Sequence, residues 1–425
     1  MAKYRSRIVD NQLDGMLHRI GAVLIQGPKW CGKTTTAEQK ASSIIYLDDP
    51  TNQKTYQQVA EINIKNLLQG DTPRLMDEWQ LIPRLWDAVR FEVDHRKSEG
   101  QFILTGSAVP IITDEIKHSG TGRFARLTMR TMSLQESGDS SAGVSLRWLF
   151  GNKGEQPQGL SNIDIDRLAF LICRGGWPSS VDKRDEYAIS LATDYYEAVV
   201  ETDLSRVDGI KRNPEFARRI TRSLARHQGS QASLESIRSD MSANDERLLG
   251  ESSFAQYINA LKSIFVVDDM PAWYPNLRSK TAIRTSDTRY FNDPSIAVAA
   301  LGIGPADLLQ DLNTMGLLFE TMAVRDLRVY ANALDGKVYH YRDKSGLECD
   351  AVIHLRNGSF GLVEIKLGGD SLVEDGAKTL KTLSEKIDTQ KMKAPAFLMV
   401  LTGVGEFPYR RSDGVYVVPI GCLGV

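Results

Sequence analysis

The sequence is poor in cysteine and carries little net charge. Among its 425 residues are four cysteines, which lie far apart at Cys31, Cys173, Cys349 and Cys422. No two of them have the spacing of zinc ligands, and nothing suggests a disulfide framework. The formal net charge is −2. A generally basic surface is therefore excluded, and any contact with nucleic acid must use local patches.

Long hydrophobic runs are also missing. No apolar stretch approaches the roughly 20 residues that a helix needs to span a bilayer. The first residues, MAKYRSR, are basic, but no apolar segment follows them, so we expect no signal peptide. We expect a cytoplasmic protein without a membrane partner. The composition, 42% hydrophobic and 25% charged, is typical of a globular protein, and the length predicts two or three domains.

The stretch 27–34 reads GPKWCGKT and lies between an apolar run, AVLIQ, and a segment typical of a helix. Glycines at both ends let the backbone N–H groups turn toward phosphate oxygens, and the following helix adds its positive end. We expect Lys33 to neutralise the β- and γ-phosphates of ATP and Thr34 to contact Mg²⁺. The alternative is a glycine turn that happens to contain Lys-Thr. The predicted nucleotide contacts are Gly27, Pro28, Lys29, Trp30, Cys31, Gly32, Lys33, Thr34, Thr35 and, from a later strand, Ser107.

Further strands are predicted at 44–48, 75–78 and 102–107, with helical patterns between them. This alternation indicates a parallel sheet with ligands at the carboxyl ends of its strands. Asp77 at such an end is expected to hold Mg²⁺, and Glu78 to polarise the attacking water. The alternative is a solvated acidic strand end. Thr105 and Ser107 either sense the γ-phosphate or orient the water, or they simply end the strand.

The segment 120–127 reads GTGRFARL. An arginine after flexible glycines could reach the γ-phosphate of its own or a neighbouring subunit. Arg123 is the first candidate for this role and Arg126 the second. A surface arginine in a loop is the alternative.

The middle of the chain is less specific. Residues 137–165 are rich in Gly, Ser, Asn and Gln and are expected to be a linker or surface excursion. A long helix is predicted at about 186–205. A basic window at 211–226 either contacts phosphates, docks on the acidic outside of a neighbouring domain or is a solvated helix face. Two helices, a turn and a strand pair then predict a winged helix, used either on DNA or as a protein-interaction module. The predicted wing cations are Arg278, Lys280 and Arg284.

The end of the chain predicts a helix at 317–331 followed by three strands, two of them joined by Asn357-Gly358, a type I′ hairpin signal. Glu364 and Lys366 share one face of their strand, and Asp350 lies across the hairpin. Two carboxylates and a lysine can hold Mg²⁺ and activate a water for phosphodiester attack, and Glu320 could add a further ligand. The alternative is a degenerate or purely structural hairpin.

The elements GPKWCGKT, LMDE, FILTGS and GRFARLTMRTMSLQE together resemble the ATPase domain of the archaeal-type AAA+ family that is also found in bacteria. In that family they correspond to Walker A, Walker B, sensor 1 and a glycine-arginine segment. The helix glutamate, the aspartate and E-x-K resemble the PD-(D/E)xK restriction-endonuclease-like fold. Residues 174–400 as a whole resemble the uncharacterised domain that follows this type of AAA+ module. The resemblance implies ATP and Mg²⁺ as cofactors and ring-like homo-oligomers in some members.

We therefore expect an α/β protein with an AAA+ parallel-sheet domain at 1–140, a linker at 141–173, a winged-helix-like domain at 174–300 and a nuclease-like domain at 301–425. The first functional hypothesis is an ATPase that acts on DNA and carries a nuclease domain. The second is a nucleotide-controlled switch that binds a protein partner, with an inert last domain. Salt-dependent DNA binding would discriminate between them.

Overall fold

The protein is described from a computed structural model, which covers residues 4–107, 119–151, 154–241, 249–275 and 286–425. The chain divides into two compact units. The first, called here the P-loop unit, contains Met1–Arg130, Thr202–Lys211 and Asn259–Phe265. The second, called here the C-terminal unit, contains Thr131–Glu201, Arg212–Ile258 and Val266–Val425. The expected segments 1–140, 141–173, 174–300 and 301–425 stay a prediction.

Strands and helices alternate through the P-loop unit, as the sequence predicts. The sheet has five strands in the order β2-β3-β4-β1-β5, and every pair is parallel. The helices and strands are α1 (Val9–Leu17), β1 (Ala22–Gln26), α2 (Lys33–Glu38), β2 (Ser43–Tyr46), α3 (Gln53–Asn63), β3 (Arg74–Asp77), α4 (Leu85–Arg96), β4 (Phe102–Gly106) and β5 (Phe124–Thr128).

The sheet is buried on both faces, which explains why its central strands are continuously apolar. Along β1, Ala22 and Leu24 pack into one hydrophobic cluster. Val23 and Ile25 pack into a second cluster on the opposite face, because successive strand side chains point to opposite sides.

Strand order decides which loops meet. Both β1 and β3 pair with β4, so their carboxyl ends flank the end of β4. The loop after Gln26, the pair Asp77-Glu78 and Ser107 therefore follow three neighbouring strands at one edge of the sheet. This edge is where a ligand is expected in an open parallel sheet.

The C-terminal unit combines helices with a second, mixed sheet. Its elements are α5 (Leu134–Ser137), β6 (Val144–Ser145), α6 (Leu146–Gly151), α7 (Ile165–Arg174), α8 (Pro178–Val181), α9 (Asp185–Ala198), α11 (Pro214–Arg226), α12 (Leu234–Met241), α13 (Glu251–Ser263), α14 (Pro294–Leu301), α15 (Pro305–Gln310), α16 (Leu312–Ala333), β7 (Gly336–Arg342), β8 (Glu348–Leu355), β9 (Phe360–Lys366), α17 (Asp370–Lys386), β10 (Leu398–Thr402), β11 (Tyr409–Arg410), β12 (Tyr416–Pro419) and β13 (Leu423–Gly424). A π-helical turn, Val199–Asp203, continues α9 into α10 (Leu204–Arg206). Residues Asn259–Ser263 of α13, Thr202 and Asp203 of the turn, and α10 count with the P-loop unit.

The larger sheet of this unit has the order β11-β12-β10-β9-β8-β7. β7, β8 and β9 are antiparallel neighbours, whereas β10 is parallel to both β9 and β12. The β8–β9 hairpin is present, but the predicted type I′ turn is wrong. That turn needs a positive φ at both central residues, and of Asn357 and Gly358 only the glycine has one, at 81°.

The expected linker is bound to the end of the chain. β6 pairs in parallel with β13, and the N–H of Ser141 donates to the carbonyl of Gly421 at 2.8 Å. The Ser140 hydroxyl donates to the carbonyl of Leu423 at 2.7 Å. The polar composition at 137–165 was a poor guide, because these backbone groups find partners nearly 300 positions away in the chain.

The first segment of the P-loop unit ends at Arg130. The hydroxyl of Thr131 donates to Asp293 at 2.6 Å, and the N–H of Leu134 donates to Asp326 at 2.9 Å. Both carboxylates are fully buried and pair with Arg325. The segment after Arg130 is therefore anchored in the core of the C-terminal unit.

The winged-helix prediction gains no support from the described residues. The two helices exist as α12 and α13, but the apolar run at 264–267 forms no regular strand. In the residues described between α13 and α14, isolated bridges join Val267 to Phe291, Met270 to Thr288 and Ala272 to His340 of β7. Arg278, Lys280 and Arg284, the predicted wing cations, lie outside the described residues.

Candidate functional site

The loop Gly27–Thr34 has a conformation that depends on its glycines. A Cβ atom at Gly27 would lie 2.0 Å from the carbonyl oxygen of Met129, so a larger residue does not fit. Gly32 has a φ of 98°, a left-handed value that glycine adopts without strain. α2 begins at the next residue, so its unpaired N–H groups face the loop.

Lys33 lies inside this loop. Its Nζ atom donates to the carbonyl oxygen of Pro28 at 2.8 Å, and the residue is only 5% exposed. A buried ammonium group held by a loop carbonyl is well placed to exchange that partner for phosphate oxygens. This is the position that the sequence predicts for the phosphate-binding lysine.

Thr34 and Asp77 meet directly, although 43 positions separate them. The Thr34 hydroxyl donates to Asp77 Oδ1 at 2.8 Å, and the Thr105 hydroxyl donates to the same oxygen. Burial raises the pKa of Asp77, and the two hydroxyl donors oppose that change. A hydroxyl and a carboxylate oxygen in contact form a donor pair that suits Mg²⁺.

Glu78 stands beside this pair in a left-handed backbone conformation, with φ at 53°. Its N–H donates to the Thr105 hydroxyl at 3.3 Å. Its side-chain Oε2 accepts hydrogen bonds from the Ser107 hydroxyl at 3.0 Å and from Nε2 of Gln80. The contact with Ser107 brings together two predicted residues, whereas Gln80 was not predicted.

The other loop residues have varied surroundings. Lys29 Nζ forms an ion pair with Asp203 at 2.5 Å, so its side chain is engaged with protein in this state. Cys31 is buried, with its sulfur 3.7 Å from the carbonyl oxygen of Met129. Trp30 is half-exposed and Thr35 is exposed.

Arg7 is a residue of this site that the sequence reasoning missed. Its guanidinium donates to the carbonyl oxygen of Cys31 at 2.7 Å and to that of Arg130 at 2.9 Å. The arginine is 5% exposed. Its two hydrogen bonds connect the loop to the segment that follows β5. No motif marks this position, because a single arginine before a helix carries no recognisable signal.

Arg123 lies at the opposite edge of the sheet from the loop. It precedes β5, whose first residue pairs with the first residue of β1, and its carbonyl oxygen accepts from the N–H of Ala22. The four residue steps of β1 from Ala22 to Gln26, about 13 Å, separate that end of the sheet from the loop. The side chain pairs with Asp94 at 2.7 Å. Action on the nucleotide of its own chain, one of the two predicted options, is therefore wrong. The second candidate, Arg126, lies over the Trp86 ring.

The basic window forms α11, and several of its cations are engaged within the C-terminal unit. Arg218 pairs with Glu197 at 2.6 Å and Glu201 at 2.5 Å, and Arg226 pairs with Asp240 at 2.6 Å. These acidic partners lie in the same unit as α11, so the contacts show no docking on a neighbouring domain. They give no particular support to phosphate binding.

Asp350, Glu364 and Lys366 are brought together, as predicted. Lys366 Nζ lies 2.7 Å from Glu364 Oε2 and 3.1 Å from Asp350 Oδ2. Asp350 Oδ2 also accepts from the N–H of Ile365 at 2.7 Å, which fixes it across the hairpin. Burial lowers the pKa of Lys366, but the charges of Asp350 and Glu364 outweigh this effect and raise it.

Glu320 lies near the same group, from α16. Burial raises its pKa, and the charge of Asp350 raises it further. Burial and Asp350 also raise the pKa of Glu364. Glu320 accepts a hydrogen bond from the hydroxyl of the buried Tyr290.

A cavity of about 210 Å³ is lined in part by Glu320 and Asp350. In the parts of the chain that the structure describes, no three His, Cys, Asp or Glu side chains are arranged to hold a metal ion. The predicted set of Glu320, Asp350 and Glu364 is therefore not assembled as a metal site here, since Lys366 contacts both Asp350 and Glu364. The cavity is lined by Gly229, Ser230, Gln231, Thr288, Tyr290, Glu320, His340, Tyr341, Arg342, Glu348, Cys349 and Asp350.

Comparison with known proteins agrees with the geometry of the P-loop unit. Residues 20–138 match an AAA domain, and residues 315–423 match a domain of unknown function, DUF4143. The chain thus contains an AAA-type ATPase domain followed by a DUF4143 domain. Residues 165–307, between them, match another domain of unknown function, DUF8612.

Two curated relatives are similar along most of the chain. They are the uncharacterized proteins Mb2031c of Mycobacterium bovis and Rv2008c of Mycobacterium tuberculosis. Each is 24% identical over 406 residues, which is 95% of this chain and 81% of the relative.

Solved structures overlap more loosely. The Walker-type ATPase PABY2304 of Pyrococcus abyssi has a TM-score of 0.43 at 11% identity, covering 71% of this chain and 99% of its own. The ORC1 protein of Aeropyrum pernix, solved in complex with DNA, has a TM-score of 0.26 at 11% identity, covering 71% and 93%. Overlaps this loose support no argument about function. Separately, none of the described helices has both the length and the apolar character that crossing a membrane requires.

Proposed function

We propose that this protein binds ATP together with Mg²⁺ at the loop Gly27–Thr34 and hydrolyses it. The observation that carries the proposal is the direct contact of the Thr34 hydroxyl with Asp77, 2.8 Å long, beside the buried ammonium of Lys33. The hydroxyl and the carboxylate would hold Mg²⁺, which supplies positive charge to the phosphates. Lys33 and the N–H groups at the start of α2 would bind the phosphate oxygens.

We assign to Glu78 the role of activating the attacking water. Its carboxylate follows Asp77 directly, and its Oε1 atom would accept the proton of the attacking water as a general base. Ser107 and Gln80 hold its other oxygen. Neither donor comes from the loop, so the orientation of Glu78 is set by β3 and β4.

Hydrolysis and binding are tested together. The wild-type protein should release phosphate from ATP only when Mg²⁺ is present. Glu78→Gln should bind ATP within about twofold of wild type while its turnover falls about 10²- to 10⁴-fold, the usual contribution of a general base. Turnover equal to wild type in this variant would reject the role assigned to Glu78.

A second candidate function belongs to the C-terminal unit. We propose that Asp350, Glu364 and Lys366 act on a phosphodiester with a divalent cation. The observation that favours it is the gathering of these groups near a cavity whose wall also carries Glu320. Because Lys366 already neutralises the two carboxylates, a cation would need this lysine to move away.

The nuclease hypothesis has its own test. DNA and RNA substrates are incubated with the wild-type protein and with Lys366→Ala in Mg²⁺ or Mn²⁺. We expect cleavage by the wild type alone. Uncut substrates would leave the C-terminal unit as an inert module, and equal cleavage by the variant would reject the role assigned to Lys366.

Two alternatives remain for the target of the ATPase, namely DNA and a protein partner. Binding to DNA would weaken with salt in proportion to the phosphates contacted. The pairing of Arg218 and Arg226 with acidic groups of their own unit weakens the support for DNA, because these cations are already neutralised. A labelled duplex that fails to bind at low salt would eliminate direct action on DNA.

A further inference from the structure

One peptide group of the loop Gly27–Thr34 is held by an arginine from the segment that precedes α1. The guanidinium of Arg7 donates to the carbonyl oxygen of Cys31 at 2.7 Å and to that of Arg130 at 2.9 Å. Because Arg7 is buried, its donors depend on protein oxygens rather than on bulk water. The arginine therefore fixes the direction in which the Cys31 carbonyl points.

This contact also sets the direction of a backbone N–H group. The Cys31 carbonyl and the Gly32 N–H belong to one planar trans peptide, in which they point in opposite directions. Because the carbonyl points toward Arg7, the N–H points away from it. Within the residues that the structure describes, the Gly32 N–H has no hydrogen-bond acceptor. It is therefore available to a bound anion.

Arg7 is itself held by a small hydrogen-bond network. Its N–H donates to Asp10 Oδ2 at 2.8 Å, and the hydroxyl of Tyr4 donates to Asp10 Oδ1 at 2.7 Å. The same hydroxyl lies 3.1 Å from the hydroxyl of Thr36, a fully buried residue of α2. The segment before α1 is thus anchored to the helix that follows the loop, and Arg7 keeps its position relative to both.

Without this arginine, the Cys31 carbonyl would work against phosphate binding. Gly32 has no side chain, so rotation of the peptide beside it meets little steric resistance. Such a rotation would place a carbonyl oxygen where the N–H now lies, and the oxygen would repel phosphate. A guanidinium group prevents this well, because its planar fork of donors reaches two oxygens at once, whereas a lysine presents one compact ammonium.

We propose that Arg7 is a positioning residue for ATP binding, which holds the Cys31–Gly32 peptide so that the Gly32 N–H faces the phosphate groups. The proposal rests on the ATP binding proposed above and adds to that site a residue from outside the loop. Arg7 acts through the orientation of the peptide and not through its own positive charge. Phosphate binding therefore depends on the segment before α1.

Calorimetric titration of full-length variants with ATP in Mg²⁺ tests the effect on affinity. Arg7→Met should weaken binding about tenfold, the effect of losing one hydrogen bond to a charged group. Arg7→Lys keeps the positive charge but loses the fork of donors, so it should weaken binding about as much. Arg19→Met, at an exposed arginine after α1, is the matched control and should bind ATP as the wild type does.

Nuclear magnetic resonance observes the peptide itself. Cys31-Gly32 is the one Cys-Gly pair in the sequence, so cysteine labelled at its carbonyl carbon and glycine labelled at its nitrogen give a single correlated signal. When ATP binds to the wild type, the Gly32 N–H proton should move downfield, as a hydrogen bond to phosphate requires. In Arg7→Met saturated with ATP, this shift should be smaller. A merely structural role of Arg7 would leave the shift of the folded, saturated variant unchanged.

The outcomes separate the positioning role from the ATP site. A wild type that binds ATP without the downfield shift would overturn the role of Arg7, whether or not the variants fold, and would leave ATP binding in place. Wild-type affinity in a folded Arg7→Met or Arg7→Lys, checked by circular dichroism, would overturn it as well. If the wild type binds no ATP, the ATP site and the positioning role fall together.

Discussion

The two units each gather acidic side chains in a buried place, but they neutralise them differently. In the P-loop unit, Asp77 is bonded to two neutral hydroxyl groups, and the nearby Lys33 is bonded to a loop carbonyl. In the C-terminal unit, Lys366 pairs directly with Asp350 and Glu364. In the P-loop unit, the positive and negative groups do not pair with each other, so a ligand can bind to both. In the C-terminal unit, the charged groups already form ion pairs with one another.

This difference separates sites that share the same chemical groups. A carboxylate bonded to hydroxyls keeps lone pairs for a metal, and a lysine bonded to a carbonyl can exchange it for phosphate. A lysine between two buried carboxylates compensates their charges, so its removal is destabilising, and it must be displaced before a cation binds. We therefore expect ligand binding in the P-loop unit more than in the C-terminal unit.

The largest effect should come from breaking the internal neutralisation. Lys366→Met leaves Asp350 and Glu364 buried without their cation, and we expect a loss of about 3 kcal/mol in the free energy of unfolding at pH 8. The loss should shrink at pH 5, where Glu364, whose pKa is raised, takes up a proton. Urea denaturation at both pH values measures this.

Restoring neutrality supplies the control. Lys366→Met combined with Glu364→Gln removes one cation and one anion, so much of the lost stability at pH 8 should return. Equal stability of Lys366→Met and wild type at pH 8 would contradict the pairing of Lys366 with Asp350 and Glu364. The C-terminal site would then no longer differ from the P-loop site in how its carboxylates are neutralised.

The next effect concerns the metal position of the P-loop unit. Thr34→Val removes the hydroxyl that contacts Asp77 and should weaken ATP binding in Mg²⁺ about tenfold, while binding in EDTA changes little. Thr55→Val, at an exposed threonine of α3, is the matched control. Titration of each variant with a fluorescent ATP analogue measures the difference. Equal weakening by both changes would reject the metal role of Thr34.

A smaller effect should appear in the pH dependence of stability. Burial and the charge of Asp350 raise the pKa of Glu320 above its ordinary value of 4.5. Its contribution to stability is therefore complete below that value and is lost as the pH rises through the raised pKa. Glu320→Gln stays neutral, so it should exceed wild type by about 1 kcal/mol at pH 8 and show a flatter profile between pH 5 and 8.

Chemical denaturation at four pH values measures this profile. Glu186→Gln, at an exposed glutamate of α9, should follow the wild-type curve. If the Glu320→Gln curve had the wild-type slope, the pKa of Glu320 would not be raised in the folded protein.

The smallest effect concerns Lys29, the loop residue held by Asp203. If phosphate competes with Asp203 for this lysine, Asp203→Ala should strengthen ATP binding about two- to threefold, in line with the weak coupling of partly exposed pairs. The same change in a Lys29→Ala background should do nothing. Strengthening that persists without Lys29 would show that Asp203 acts in another way.

Much of the P-loop unit was predictable because its signals are local. The strand, the glycine-bounded loop and the helix are consecutive in the chain, and the alternation of elements predicts where Asp77 and Ser107 lie. Residues that depend on distant partners were not predictable. Arg7 and the Lys29–Asp203 pair have no sequence signal, and Arg123 was misplaced because the position of β5 in the sheet was not known.

The C-terminal unit was harder to predict for the same reason. The hairpin and the cluster of Asp350, Glu364 and Lys366 follow from spacing on two adjacent strands. The pairing of β6 with β13 joins residues 279 positions apart, Val144 with Leu423, so the polar segment before α7 was interpreted as a linker. The basic helix was ambiguous because its acidic partners come from other helices.

Calorimetric titration of ATP in Mg²⁺ into the wild-type protein and Lys33→Ala tests the central claim most directly. The wild type should bind one ATP per chain in a saturable way, and the loss of the charged hydrogen bonds of Lys33 should weaken binding about 100-fold. Circular dichroism should show that the variant is folded. Wild-type protein that takes up no ATP, or a folded Lys33→Ala that binds as tightly, would contradict the account.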